Sequence, residues 1–175
     1  MSDGIVRAGE ERDLAALTGI YNAYVRTSHV TFDVVESSVE ERRAWFAHYA
    51  PSGRHRLLVL DVDGEVRGYA TSSTFRAKAA YDTSVETSVY LHPGAVGVGA
   101  GGRLYTALLA EMDAVGVHRC FAGIAQPNEA SVRLHLRHGF EHVGTFDEAG
   151  FKHGAYRDVA WYRRRGPAAA QASLP

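Results

Sequence analysis

Cysteine is almost absent from this chain of 175 residues, in which Cys120 is the single example. One thiol cannot form an internal disulfide, so a disulfide framework is excluded and a reducing compartment is expected. The chain also lacks any run near ~18 uninterrupted apolar residues. Its first residues, MSDGIVRAGEERD, contain no apolar segment typical of a secretion signal. We therefore expect a cytoplasmic protein with no membrane partner.

An excess of charge of one sign is lacking as well. The 19 Lys and Arg residues nearly balance 20 Asp and Glu residues, for a formal net charge of −1. A balanced chain has no general attraction to nucleic acid, so we expect no nucleic-acid partner. The histidines at 135, 138 and 142 straddle a predicted helix end and a strand, which is not a usual zinc-ligand spacing, so we expect no metal site.

The spacing of apolar residues predicts alternating strands and helices. Strands are predicted over residues 5–7, 56–62, 65–75, 84–91, 119–125, 141–147 and 156–162, with Asp63-Gly64 as a hairpin turn. Helices are predicted over residues 11–25, 38–49, 104–115 and 128–138; the second has a capping box of Ser38 and Glu41, and the last has Asn128 as N-cap. Residues 27–37 and 148–155 are predicted loops, and residues 163–175 a mobile tail. This order indicates one mixed α/β domain over residues 1–162.

One stretch, residues 84–104, combines a strand, a glycine-rich loop and the start of a helix. Its strand alternates, so that Glu86 lies on the face opposite Val85 and Thr87. The loop then contains Gly97, Gly99, Gly101 and Gly102. A glycine loop that leads into a helix offers free backbone N–H groups and the helix dipole to a phosphate-bearing ligand. We expect this stretch to supply both a phosphate cradle and, through Glu86, a catalytic base.

Three kinds of nucleotide ligand compete for this loop. A P-loop ends in Gly-Lys-Ser/Thr, which Gly101-Gly102-Arg103 does not provide, so that alternative fails. A dinucleotide site needs a carboxylate near the next strand to hold a ribose, and residues 119–125 contain none, so that alternative is disfavoured. The third alternative is the pyrophosphate of coenzyme A at the helix N-terminus.

These motifs resemble a known family. His92-Pro93 and the glycines after it look like the acetyl-CoA motif of the GNAT acetyltransferases, and the chain from residue 5 to about 162 resembles their phosphinothricin N-acetyltransferase branch. The local matches include Tyr21-Asn22, residues 28–32 (SHVTF), Ala80-Tyr81-Asp82, Glu86, Pro127-Asn128, His135 and residues 149–154 (AGFKHG). The resemblance implies a single-domain α/β GNAT fold whose mixed, mostly antiparallel sheet is flanked by helices. It also implies acetyl-CoA as acetyl donor and a homodimer.

The resemblance further implies two catalytic residues. Glu86 takes the place of the family's carboxylate, which removes a proton from the acceptor amine. An amine is largely protonated at neutral pH and is then no nucleophile, so the chemistry needs such a base. The amine would attack the thioester directly, without an acyl-enzyme intermediate. His135 takes a helix position where many relatives carry Tyr as general acid for the CoA thiolate; a histidine of the core is the alternative.

Binding residues follow from the same resemblance. For acetyl-CoA these are the backbone of Val89 and Leu91, the loop residues Gly97, Gly99, Gly101 and Gly102, and Asn128 on the pantetheine arm. Val96 stands where the family loop typically has Arg or Gln, and Val98 where it often has a basic residue; Arg103 is a candidate to compensate. For the acceptor, the expected contacts are Phe32, Lys78, Tyr81, Lys152 and His153, with Lys78 in place of an Arg of close relatives.

Several acceptors remain open at this point. Phosphinothricin or methionine sulfoximine fits the resemblance, and the expected cations Lys78, Lys152 and His153 favour an anionic amino acid over a cationic acceptor. The alternatives are another amine, such as an amino acid, a polyamine or an aminoglycoside, or a non-catalytic module that binds CoA or a partner. The two valines of the loop motivate that last alternative.

Overall fold

The computed structural model describes residues 4–97 and 99–167. The strands are β1 (Ile5–Ala8), β2 (Arg56–Val62), β3 (Glu65–Thr74), β4 (Ser84–Leu91), β5 (Arg119–Ala125), β6 (Glu141–Lys152) and β7 (Ala155–Arg165). The helices are α1 (Leu14–Thr27), α2 (Val39–Phe46), α3 (Ala100–Ala114) and α4 (Glu129–Arg137), with short 3-10 turns at Glu11–Asp13, Ala79–Tyr81 and Pro93–Ala95. No helix among these residues is long and apolar enough to cross a membrane.

All seven strands form one sheet in the order β1-β2-β3-β4-β5-β7-β6. Every neighbouring pair is antiparallel except β4 and β5, which are parallel. The parallel ladder has only three residue pairs, Ser84 to Glu86 with Arg119 to Phe121, although both strands continue beyond it. The prediction of a mixed, mostly antiparallel sheet is confirmed, and the short ladder is the feature that positions the site.

The part of the sheet around β2 and β3 is buried on both faces because helices cover both. In β2, Leu58 and Leu60 pack into the larger cluster with α3, whereas Leu57 and Val59 pack into a smaller cluster with α1. This explains why β2 is an uninterrupted apolar run instead of an alternating one. In β4, Val85 faces the α3 side, so Glu86 faces the side of α1 and α2.

The structure confirms the predicted hairpin turn and helix caps, each of which depends on only a few neighbouring residues. Asp63 and Gly64 form the hairpin turn with φ of 54° and 87°, the left-handed values that such a turn requires. Ser38 and Glu41 form the capping box of α2, and the Asn128 side chain accepts a hydrogen bond from the Ser131 amide as the N-cap of α4. Helix α2 is shorter than predicted and ends at Phe46.

Two predicted boundaries near the C-terminus are wrong. The segment 148–155 is not a loop, because β6 continues to Lys152 and only a tight turn separates it from β7. A register shift between Phe146 and Gly150 breaks the alternation there, which explains the missing strand pattern. The predicted tail begins too early as well, since β7 runs to Arg165 and the Arg164 guanidinium forms two hydrogen bonds with Asp113 of α3, at 2.7 and 2.6 Å. The rest of the predicted tail beyond residue 167 lies outside the described residues.

Candidate active site

Glu86 lies at the last residue pair of the parallel ladder. It pairs with Phe121 of β5 on one side and with Ser73 of β3 on the other. Burial raises the pKa of its carboxyl above the ordinary value, and the positive charge of Arg76 opposes that shift. No side chain within residues 4–97 and 99–167 hydrogen-bonds the carboxylate, so it is free to accept a proton from a ligand.

An aromatic wall stands beside Glu86. Phe75 stacks on Phe121 with ring centroids 4.2 Å apart, and Trp161 meets Phe75 edge-on at 6.2 Å. Tyr81, which is 44% exposed, also meets Phe75 edge-on at 5.9 Å. The structure therefore places the predicted substrate residue Tyr81 near Glu86, since Tyr81 contacts Phe75 and Phe75 stacks on the register partner of Glu86. The sequence patterns did not identify Phe75, Phe121 or Trp161 as residues of the site.

Arg76 adds a positive charge to this wall. Its guanidinium carbon lies 4.7 Å from the centroid of the Phe75 ring and 5.9 Å from that of Trp161. The charge also acts on the Glu86 carboxylate, as the pKa of that group indicates. Lys78, two residues further along, is exposed at the start of the 3-10 turn that contains Tyr81.

Beyond Glu86, the edge of β4 that faces β5 has no strand partner within residues 4–97 and 99–167. Val89 lies on this part of β4, while its other edge continues to pair with β3 as far as Leu91. An extended ligand can add to such an edge through backbone hydrogen bonds, as the prediction for Val89 requires. The carbonyl of Leu91 is already engaged, because the Tyr24 hydroxyl donates to it at 2.8 Å. Of the two predicted positions, Val89 is therefore the one better placed to contact a ligand.

The glycine loop has the geometry expected of an anion cradle. Gly97 and Gly99 have φ of 86° and 83°, values that L side chains rarely adopt. Gly99 is the N-cap of α3, so the amide groups of the first turn, including Gly101 and Gly102, point out of the helix without intrahelical acceptors. Free amides and the helix dipole together favour a phosphate.

The expected basic support for this cradle is not seen in the described residues. Val96 is 55% exposed and offers no charge, and Val98 lies outside the described residues. Arg103 donates from Nη2 to the Gly4 carbonyl at 2.5 Å, so its guanidinium is engaged at the start of β1. The expectation that Arg103 compensates for the valines is therefore not supported by this arrangement.

His135 is a buried member of a hydrogen-bond chain behind Glu86. Its Nδ1 lies 2.7 Å from the Ser131 carbonyl and must donate to it, so Nε2 accepts from the Tyr105 hydroxyl at 2.7 Å. The Tyr105 oxygen lies 2.7 Å from the hydroxyl of Thr87, the residue after Glu86. Burial lowers the pKa of His135 to about 4, so the ring is neutral at pH 7. Both nitrogens are occupied, which favours a structural role over the general acid expected from the resemblance.

Lys152 is the clearest correction among the predicted substrate residues. It is only 3% exposed, and its Nζ donates to the Thr31 carbonyl at 2.8 Å. Burial lowers the pKa of the amine, and the negative charge of Asp33 opposes that shift. Lys152 therefore fastens the loop between α1 and α2 to the β6–β7 hairpin and is not available to an acceptor.

The other predicted residues of these segments lie around the same loop. Phe32 packs its ring over Gly150, where an added Cβ would meet Phe32 carbons at 2.4 Å. His153 is exposed in the turn between β6 and β7 with φ of 52°. Phe32 thus depends on a glycine opposite it, and His153 remains a candidate only by its position at a hairpin tip.

Replacing Lys152 with Met should lower the free energy of unfolding by about 1–2 kcal/mol, because the Thr31 carbonyl loses its buried donor. Chemical denaturation of both proteins measures the difference. The matched control is Lys78→Met, which changes an exposed lysine and should stay within about 0.5 kcal/mol of the parent. Equal stability of the Lys152→Met protein and the parent would contradict the fastening role.

Comparison with known proteins identifies the class of protein that this fold and site define. The family model described as acetyltransferase (GNAT) domain matches residues 6–161. The chain belongs to the GNAT acetyltransferase family, so the expected enzyme class, an N-acetyltransferase, is confirmed. Within residues 4–97 and 99–167, no group of three or more His, Cys, Asp or Glu side chains is placed to hold a metal ion.

The chain is also similar to individual members of this family. The chain is 55% identical over 161 residues to a phosphinothricin N-acetyltransferase of Streptomyces coelicolor, covering 91% of this chain and 94% of that protein. It is 33% identical over 156 residues to an L-methionine sulfoximine/L-methionine sulfone acetyltransferase of Salmonella typhimurium, covering 89% of this chain and 91% of that protein. A crystal structure of a phosphinothricin acetyltransferase from Sinorhizobium meliloti in complex with acetyl-CoA is 34% identical, with a TM-score of 0.90 over 98% of this chain and 92% of that chain.

Proposed function

We propose that this enzyme transfers the acetyl group of acetyl-CoA to the amine of a small anionic amino acid, with Glu86 as general base. The observation that carries the proposal is the position of Glu86, a half-buried carboxylate without a protein partner in the described part of the chain, at the end of the β4–β5 ladder. There a carboxylate can take the proton of an ammonium group. The neutral amine is then able to attack the thioester carbon directly, without an acyl-enzyme intermediate.

The acetyl-CoA site would use backbone groups more than side chains. The amides at the start of α3 would hold the pyrophosphate, the free edge of β4 at Val89 the pantetheine, and Asn128 the end of that arm. A relative with 34% identity binds acetyl-CoA in its crystal structure, which supports this assignment. Bound acetyl-CoA supplies an activated thioester; the chain's own part is to orient the acceptor and remove its proton.

For the acceptor, phosphinothricin and L-methionine sulfoximine are the first candidates. The names of two relatives point to them, at 55% and 33% identity. The aromatic wall of Phe75 and Tyr81 beside Glu86 would contact the acceptor's carbon chain, and the cations Arg76 and Lys78 on its rim suit an anionic group. Other amines remain the second candidate.

One assay tests this function. Purified protein is mixed with acetyl-CoA and an amine panel that contains phosphinothricin, methionine sulfoximine, methionine sulfone, spermidine and an aminoglycoside, and free CoA thiol is followed over pH. We expect phosphinothricin and methionine sulfoximine to release thiol at a rate far above that of the cationic amines. Binding of CoA without thiol release from any amine would favour a non-catalytic binding module instead.

Replacing Val96 with Arg should tighten acetyl-CoA binding up to about fivefold. Position 96 is more than half exposed, so an added ion pair with a phosphate is screened by solvent and contributes at most about 1 kcal/mol. Titration calorimetry with CoA measures the change, and the gain should shrink at high salt. An unchanged affinity at low salt would mean that the amides of the loop already satisfy the phosphates.

We also propose a homodimer, as the family resemblance implies, and a cytoplasmic location, as the single cysteine suggests. The β6–β7 hairpin carries exposed aromatic side chains that a partner would cover: Phe146, Phe151 and Tyr156. Light scattering of the purified protein gives the molecular mass that decides between monomer and dimer.

A further inference from the structure

A cavity of about 250 Å³ lies between α1, α2 and the strands β3 and β4. Its lining includes Ser73, the register partner of Glu86, and Ser88, which lies two residues from Glu86 on the same face of β4. One end of the cavity is therefore next to the proposed base. Its size is slightly below the range of ~300–1,000 Å³ usual for drug-sized ligands, which suits a small acceptor.

A buried guanidinium lines this cavity. Arg42 of α2 is only 7% exposed, and its guanidinium carbon lies 3.5 Å from the centroid of the Trp45 ring and 4.5 Å from that of Tyr21. Its Nη2 reaches the Tyr69 hydroxyl at a long 3.4 Å, and its Nε is buried without a hydrogen-bond partner. Across residues 4–97 and 99–167, Arg42 forms no ion pair with a carboxylate.

The buried guanidinium of Arg42 therefore lacks a counterion among the described residues. A buried ion without a counterion loses its hydration, and stacking on aromatic rings compensates for only part of that loss. Trp45 and Tyr21 stack on the guanidinium, so its N–H edge is the part that can bind a ligand in the cavity. That edge is the part of a guanidinium that binds a carboxylate through two parallel hydrogen bonds.

The other charged groups near the cavity do not replace this one. Asp33 accepts a hydrogen bond from the Tyr21 hydroxyl at 2.6 Å and is exposed. Lys152 is occupied by the Thr31 carbonyl. Among the described residues that line the cavity, Arg42 is therefore the buried cationic side chain that can bind an anion. It lies on the same face of the sheet as Glu86.

We propose that Arg42 binds the carboxylate of the amino-acid acceptor and thereby determines specificity for amino acids over simple amines. The proposal deepens the proposed function and rests on it. The acceptor carboxylate would lie on the guanidinium edge, and its amine would extend past Ser73 and Ser88 toward Glu86.

The test compares two acceptors that differ only in the carboxylate, L-methionine sulfone and 3-(methylsulfonyl)propylamine. In the Arg42→Gln protein, kcat/KM for the amino acid should fall about 10²-fold or more, as for removal of one partner of a buried ion pair. The value for the amine should change less than about threefold. Arg42→Lys should fall in between, since a point charge replaces the planar fork. The matched control is Arg43→Gln, which removes an exposed arginine paired with Glu40 on the same helix and should leave both values unchanged.

An equal loss with both acceptors, or a loss with neither, would overturn the proposal. If Arg42→Gln fails to fold, as thermal unfolding would reveal, the comparison is made with Arg42→Lys and the same selective loss is expected. If the parent acetylates neither acceptor, the proposed function fails by itself. Calorimetry with N-acetyl-L-methionine sulfone then tests Arg42 alone: the parent should bind it at least tenfold more tightly than the variant, and no binding to the parent rejects the site.

Discussion

Replacing Glu86 with Gln should lower kcat/KM at pH 7 by about 10²- to 10³-fold, within the range that a positioned general base contributes. The amide has nearly the shape of the carboxylate but accepts no proton from an ammonium group. The affinity for CoA should stay nearly unchanged, because the proposed phosphate and pantetheine contacts lie on Val89 and the loop before α3. Thiol release and calorimetry measure the two quantities separately.

The pH dependence gives a second signature of the same residue. Burial favours the neutral carboxyl and so raises its pKa, which means that the base is lost on acidification at a higher pH than for an exposed Glu. In the parent, kcat/KM should therefore fall as pH decreases through this raised pKa. The acid limb should disappear in Glu86→Gln.

The control for Glu86 is Glu141→Gln, which changes an exposed glutamate of β6 far along the sheet from β4. It should keep both the rate and the acid limb of the parent. If the Glu86→Gln protein has the parent's rate at pH 7, Glu86 is not the general base, whatever the rate of the control.

Local rules explain how much of this fold the sequence predicts. The Asp63-Gly64 turn, the Ser38 cap and the alternation around Glu86 each depend on a few neighbouring residues, and all three appear in the structure. The β6–β7 hairpin follows no such rule, because a register shift near Gly150 breaks the period of two. In the same hairpin Lys152 is buried against the Thr31 carbonyl, and that contact depends on the tertiary fold and not on the local sequence.

The site was predictable only along β4. Glu86 and the glycine loop are adjacent in sequence, whereas Phe75, Phe121 and Trp161 meet only because β3, β5 and β7 are close neighbours in the sheet. Arg42 has no sequence signal of burial, since an arginine on an amphipathic helix is usually solvated. Its environment depends on how α2 docks on the sheet, which no local pattern encodes.

His135 should contribute to stability, and its replacement with Ala should lower the free energy of unfolding by about 2–4 kcal/mol at pH 7. The change leaves a cavity and removes one of the two hydrogen-bond partners of the buried Tyr105 hydroxyl, and both losses are costly. Urea denaturation at pH 7 measures the difference. His118→Ala, at an exposed histidine, should stay within about 0.5 kcal/mol of the parent.

The pH dependence of stability separates His135 from the other groups that titrate in acid. Its folded pKa of about 4 lies below the ordinary value of 6.5, so the unfolded chain binds the proton more readily. This contribution to stability is fully present above about pH 6.5, is lost as pH falls toward the folded pKa, and amounts to about 3 kcal/mol at about 1.4 kcal/mol per pKa unit. The stability of His135→Ala relative to the parent should therefore improve between pH 6.5 and 4.

The same variant decides between a structural His135 and a general acid. A structural role changes stability and leaves the limbs of the pH–rate profile at the parent's positions, because Glu86 and the acceptor amine still define them. If His135 were instead the general acid that protonates the CoA thiolate, its removal would abolish the alkaline limb of the profile. Loss of that limb in His135→Ala, with stability equal to the parent's, would refute the structural role and restore the catalytic one. Since both ring nitrogens are bonded to Ser131 and Tyr105, we expect the limb to remain.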